Sequence, residues 1–133
     1  MTAADNFMAP SPGANNPPET LDCRLRVYLQ TLAAQSLTTT YQEAAKAMQL
    51  AAPHTIHQIT NALEQLMSED AAAGRPLIAA IVVSKWRSGL PAPGFFDCAA
   101  QLGRFSGDVA GPQASAFHAR EFNAVVALWA RLG

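Results

Sequence analysis

A mainly α-helical fold with one small β element is what this sequence predicts, and three observations carry that expectation. Apolar residues recur at intervals of three and four over most of the chain, the spacing that gathers side chains on one face of a helix. A Thr-x-x-Glu capping box at Thr40 to Glu43 marks a helix start, and a proline break follows it within a dozen residues. Between two turn signals, Leu77-Ile78-Ala79-Ala80-Ile81-Val82-Val83 forms an apolar run rich in β-branched residues, the pattern of a buried strand or strand-like segment.

Composition bounds the rest. Of 133 residues, half are hydrophobic and 14% are charged, which suits one globular domain with a core of useful size. Nine Lys and Arg face ten Asp and Glu, so no bulk charge draws the chain to phosphate, and any nucleic-acid surface has to be a local patch. Residues 1–18 hold Pro10, Pro12, Gly13, Pro17 and Pro18 with few large apolar groups, and are expected to be a disordered tail preceding a single domain over 19–133. Cys23 and Cys98 lie far apart, without Cys or His at metal-ligand spacing, and read as reduced thiols. The start carries neither a basic nor an apolar leader pattern, and no stretch approaches the roughly 18 apolar residues of a membrane span. The expected setting is the cytoplasm.

The elements follow in order. Leu21, Leu25, Tyr28, Leu29 and Leu32 predict a first helix over about Thr20 to Gln35. Leu37 to Thr39 is a short β-branched piece leading to the capped second helix, whose Ala44, Ala45 and Ala47 allow close packing. Ala51-Ala52-Pro53 breaks it, and a third helix restarts at His54 or Thr55. Ile56, Ile59, Leu63 and Leu66 make its inward face, with His57, Gln58, Thr60, Asn61 and Glu64 outward; Glu69 and Asp70 follow, and Gly74 stops it. After the apolar run come the polar, basic turn Ser84 to Gly89 and the rigid loop Leu90-Pro91-Ala92-Pro93-Gly94. Phe95 and Phe96 lead a short helix closed by Gly103, and a last helix carries Phe117, Glu121, Ala124, Val125, Leu128 and Leu132.

Helix, extended piece, capped helix, tight break, helix, apolar strand and basic turn is the order of a winged helix-turn-helix core, here extended by two C-terminal helices. Within Thr38 to Phe95, Thr40-Tyr41-Gln42-Glu43-Ala44-Ala45, Ile56-His57-Gln58-Ile59-Thr60-Asn61-Ala62-Leu63 and Ile81-Val82-Val83-Ser84 resemble the DNA-binding domain of alkylguanine-DNA alkyltransferases and their catalytically silent alkyltransferase-like relatives. The resemblance covers under half the chain. It implies a DNA ligand, with Tyr41 at the place of the tyrosine that touches a phosphate beside a flipped nucleotide. His57 stands where that family has its arginine finger and is shorter and neutral near pH 7. Ile78-Ala79-Ala80-Ile81 stands where the family has Pro-Cys-His-Arg, leaving no sulfur to accept an alkyl group and no histidine to activate one, so dealkylation is not expected.

The candidate binding residues are Tyr41, Thr55, His57, Gln58, Asn61, Lys85, Trp86 and Arg87. Thr, Gln and Asn on a groove-lying helix can read base edges, and they are equally ordinary solvated helix residues. Arg75, Lys85, Arg87 and Arg104 face one acid, Asp97, a local basic excess able to touch phosphate. Trp86 between two cations can stack on a base or anchor a protein partner; its alternative is to fold back over Leu90 and Pro91 as a lid on the core. Phe95 and Phe96 are assigned to the core. His54 and His57 can face one metal only if a third ligand, such as His118, arrives by folding, so no metal and no cofactor are expected. No nucleophile elbow, phosphate loop or paired carboxylate supports an enzyme. Two readings remain open: a non-catalytic DNA-binding protein, or a protein-interaction or regulatory subunit on the same scaffold. A homodimer through Phe122 and Trp129 of the last helix is a further expectation.

Overall fold

A computed structural model describes residues 20–132, with side chains described as far as residue 130; the expected tail, 1–18, lies outside the described residues. The fold is mainly α with a small β element, as the pattern predicts. Helix α1, Leu21–Ala34, starts where the Thr20 hydroxyl accepts the Cys23 amide at 3.2 Å, satisfying one of the donors a helix start leaves open. It buries Leu25, Leu29 and Ala33. Strand β1, Thr39–Thr40, runs into α2, Tyr41–Ala47. The capping box forms in full: Thr40 Oγ1 accepts the Glu43 amide and Glu43 Oε1 accepts the Thr40 amide, both at 3.1 Å.

Helix α3, Thr55–Ala73, follows His54, which takes a left-handed conformation at φ 64°, and stops at Gly74, φ 70°. Its packed stripe is Ile59, Ala62, Leu63, Leu66, Met67 and Asp70. Ile56 does not join it: expected on the inward face, it is 39% exposed and lines an open groove between α2 and α3. Helices α2 and α3 pack together, so the two-helix corner predicted from the capping box and the proline break is present.

The run Leu77–Val83 is not a strand throughout. Ile78–Ile81 coils into a 3-10 turn, and Val82–Val83 alone is extended as β2. Two causes are visible. Ala79 and Ala80 interrupt the β-branched residues with side chains that gain little from a pleated surface. The buried amides that a strand would pair are met by carboxylates instead: Leu77 N donates to Glu121 Oε1 at 2.9 Å and Ile78 N to Asp70 Oδ2 at 3.0 Å. The 3-10 turn sits at the centre of the body, touched by α1, α3 and α5. A two-stranded antiparallel wing is absent among the described residues; β2 pairs with β1 in parallel, Thr39 against Val82 and Thr40 against Val83.

Helices α4, Pro93–Gln101, and α5, Pro112–Leu132, complete the chain. Phe95, Phe96, Phe105 and Phe117 form one aromatic cluster, with Phe95 and Phe96 edge to face at 5.1 Å, which places both rings in the core as expected. Phe122 and Trp129, the residues expected to face a second copy, are partly buried against this chain's own core. No helix among the described residues is long and apolar enough to cross a membrane.

Candidate ligand-binding surface

Parallel pairing has a geometric consequence. Two strands running the same way leave the ladder at the same end, so Tyr41, directly after β1, and Ser84, directly after β2, emerge side by side. The turn Ser84–Gly89 therefore stands next to the start of α2. Tyr41 closes the junction, its hydroxyl accepting the Ala92 amide at 2.9 Å across a sequence separation of 51 residues. Burial pushes the Tyr41 phenol above its ordinary range, against the smaller downward pulls of the Ala92 amide and the Arg87 charge. The hydroxyl stays protonated at neutral pH and keeps its own proton to donate.

At the tip of the turn, Trp86 is 81% exposed, so the alternative in which it lids the core does not occur. Lys85 Nζ lies 4.9 Å from the centre of its ring, and the backbone amide of Trp86 donates to Ser84 Oγ at 3.2 Å, fixing the start of the turn. Arg87 points the other way. Its guanidinium donates to the carbonyls of Pro91 at 2.8 Å and Val109 at 2.9 Å and lies over the Phe96 ring, so this expected ligand contact is a tether between two loops. The physical reason is that part-buried carbonyls in two loops, Pro91 nearby and Val109 22 residues on, need donors, and Arg87 supplies them.

The charge count made from sequence changes accordingly. Arg75 pairs with Asp70, Arg87 is tethered, and Arg104 donates to the Arg75 carbonyl and contacts Glu121, leaving Lys85 as the one cation of that four that is turned outward. Lys46, on α2, is exposed and makes no ion pair among the described residues.

Along α3 the outward residues divide. Gln58 turns its amide back onto the break, donating to Ala51 O at 3.3 Å and Pro53 O at 3.2 Å, and thereby holds the corner rather than reaching out. Thr60 Oγ1 donates to Ile56 O within its own helix. His57 and Asn61 are exposed, and Thr55 is half-exposed at the helix start. Beside these residues a groove of about 290 Å³ runs between α2 and α3, lined by Gln42, Ala45, Lys46, Leu50, Thr55 and Ile56.

A second, much smaller cavity of about 20 Å³ is lined by Tyr41, Thr60, Leu63, Glu64, Met67, Ala79, Gly94 and Phe95. It has room for a water or so and none for a nucleobase. Cys98, half-buried, has its thiol pushed up by burial and by the Glu64 charge, the opposite of a reactive thiolate. No group of three His, Cys, Asp or Glu side chains gathers at metal-binding range among the described residues. His118, named as a possible third ligand, instead places Nε2 2.9 Å from the Ala80 carbonyl; burial pulls its pKa down.

Sequence reasoning missed Asp70. Given no role beyond its place at the end of α3, it is 1% exposed and accepts from Arg26 at 2.8 Å, Arg75 at 3.0 Å and the Ile78 amide. The signal available was periodicity: Ile59, Leu63, Leu66 and Asp70 continue one helical stripe at steps of four, three and four. Comparison with protein families, characterised proteins and solved structures returns no match to this chain.

Proposed function

We propose that this protein is a non-catalytic, cytoplasmic binding protein whose ligand is DNA, held by the α2–α3 corner together with the Ser84–Gly89 turn. The observation that carries the reading is the parallel ladder: it brings the turn bearing Lys85 and the exposed indole of Trp86 out beside Tyr41 at the start of α2, the helix whose other residues line the groove shared with α3. A corner of two helices with a basic turn at its side is a form that enters a major groove and rests on the backbone. The resemblance to alkyltransferase-like DNA-binding domains supports the same ligand. Ala79 stands where that family has its reactive cysteine, and it lines the small cavity next to Tyr41. A methyl group there supplies no nucleophile, which favours binding without alkyl transfer.

The supply of cations limits how DNA is held. With Lys46 and Lys85 as the outward cations of this surface, the logarithm of affinity should fall with the logarithm of salt at a slope of about −2. Titration of a labelled duplex and a labelled single strand at low and moderate salt, repeated with Lys85→Glu and with Trp86→Ala, tests the reading. Binding at low salt with that shallow slope, lost in both variants, is the expected result. A protein partner is the second reading, and the 81% exposure of Trp86 favours it specifically, since an exposed indole is a common anchor of interfaces. Absence of any DNA binding at low salt would leave that reading in place of the first.

A further inference from the structure

A separate basin lies where the α4–α5 connection meets the first half of α5. Its volume is about 220 Å³, and it is lined by Arg104, Phe105, Ser106, Gln113, Ala116, Phe117 and Arg120. None of these residues belongs to the α2–α3 corner or to the 84–89 turn. We propose that this basin binds a phosphate group, free or carried on a small soluble ester.

Charge is the first argument. Two guanidinium groups line the basin, and the one carboxylate paired with them, that of Glu121, makes a single contact of 3.4 Å to Arg104 while the same oxygen accepts the Leu77 amide at 2.9 Å. Arg120 forms no ion pair among the described residues; its guanidinium lies 5.9 Å from the centre of the Phe117 ring. One positive charge is therefore uncompensated. Arg104 has a single nitrogen, Nη2, engaged with the Arg75 carbonyl and Glu121, which leaves further N–H donors for a ligand.

Donor arrangement is the second. Two forked guanidinium groups, a hydroxyl on exposed Ser106 and the amide of Gln113 surround one volume, and a tetrahedral oxyanion can accept from several directions at once. Phe105 and Phe117, both buried, form the base of the basin, and an apolar base strengthens charge-assisted bonds above it.

Rigidity is the third. The loop 107–111 closes tightly around Gln113: a Cβ at Gly107 would come within 2.8 Å of Gln113 Cβ, and one at Gly111 within 2.9 Å of Gln113 Oε1. Gly107 also holds φ 137°, outside the range other residues favour. The two glycines thus leave the room that the Gln113 side chain occupies against the loop. The Asp108 carboxylate, the acid nearest in this loop, accepts the Ala110 amide at 2.9 Å.

Calorimetric titration of the full chain with inorganic phosphate, ribose 5-phosphate and malonate, at ionic strength held by sodium chloride, tests the site. The expected result is saturable binding of the phosphate compounds with a Kd of about 1 mM or tighter, and no saturation with malonate. Higher affinity for ribose 5-phosphate assigns the site to an ester, and higher affinity for inorganic phosphate to the free ion. Arg120→Ala should weaken binding about tenfold and Ser106→Ala about threefold, both with unchanged urea midpoints because neither side chain is buried. The proposal is overturned by absent saturation with both phosphate compounds, by malonate binding as tightly, or by unchanged affinity in Arg120→Ala. Loss of duplex binding in Arg120→Ala would overturn it as well, because the basin would then belong to the DNA surface.

Discussion

The Asp70 neighbourhood and the Ser84–Gly89 turn each hold two basic side chains and put them to different uses. Around Asp70, two arginines and a backbone amide converge on one carboxylate that is 1% exposed, and Glu69, paired with Arg26, balances the second positive charge. In the turn, Lys85 and Trp86 face outward with only each other for company, while Arg87, one residue on, is drawn inward by two carbonyls. The difference lies in what each position must satisfy. Buried carbonyls and amides recruit whatever donor or acceptor is within reach, and a cation is free for a ligand only where the backbone beside it is already bonded. Counting basic residues along a segment therefore overstates what a surface can offer to phosphate.

The largest effect should follow from breaking the inner region. Asp70→Ala takes the buried acceptor from Arg26, which keeps Glu69, from the partly exposed Arg75 and from the Ile78 amide, and should destabilise the chain by about 3 kcal/mol, the lower end of the cost of breaking a buried ion pair. Urea denaturation followed by circular dichroism reads it; a loss below about 1 kcal/mol, the range of exposed ion pairs, would mean the cluster is solvated. Next in size comes Tyr41→Phe. It keeps the ring and leaves the Ala92 amide without an acceptor, for a loss of about 1 to 2 kcal/mol. If Tyr41→Phe is as stable as the parent chain, water replaces the hydroxyl and the junction between corner and turn is looser than the bond implies.

Where the pattern along the chain was local, it was readable. The Thr40 box, the break at Pro53, the stop at Gly74 and the stripe of α3 from Ile59 onward, Ile56 excepted, each depend on residues within a few positions of one another, and each is found in place. What could not be read depends on partners far along the chain. The Leu77–Val83 run coils because carboxylates from α3 and α5, 8 and 44 residues away, take its first two amides. Arg87 and Tyr41 are engaged by Val109 and Ala92, across 22 and 51 residues. Of the candidate binding residues, His57, Asn61, Lys85 and Trp86 face solvent, Thr55 is half-exposed, and Gln58 is turned back by carbonyls only 5 and 7 residues away.

A smaller effect tests the corner itself. Thr40→Ala removes one half of the capping box and should cost about 1 kcal/mol, the typical worth of a helix cap, read as a shift in the urea midpoint with unchanged slope. A loss beyond about 3 kcal/mol would show that the cap also supports the β1–β2 ladder, to which Thr40 belongs.

The smallest change in stability belongs to the turn, and it separates the two regions most clearly. Lys85 and Trp86 are exposed, bury no partner and hold no carbonyl, so Lys85→Glu combined with Trp86→Ala should move the folding free energy by no more than about 0.5 kcal/mol. Arg87→Ala, one position on, should cost more than both together, because it leaves the Pro91 and Val109 carbonyls without their donor and uncovers the Phe96 ring. An aromatic side chain held in water beside a cation contributes little to the fold, which leaves it free to meet a ligand without loss of stability. If the double variant instead unfolds at markedly lower urea than Arg87→Ala, the indole is packed in solution, and the surface built on the turn has no anchor.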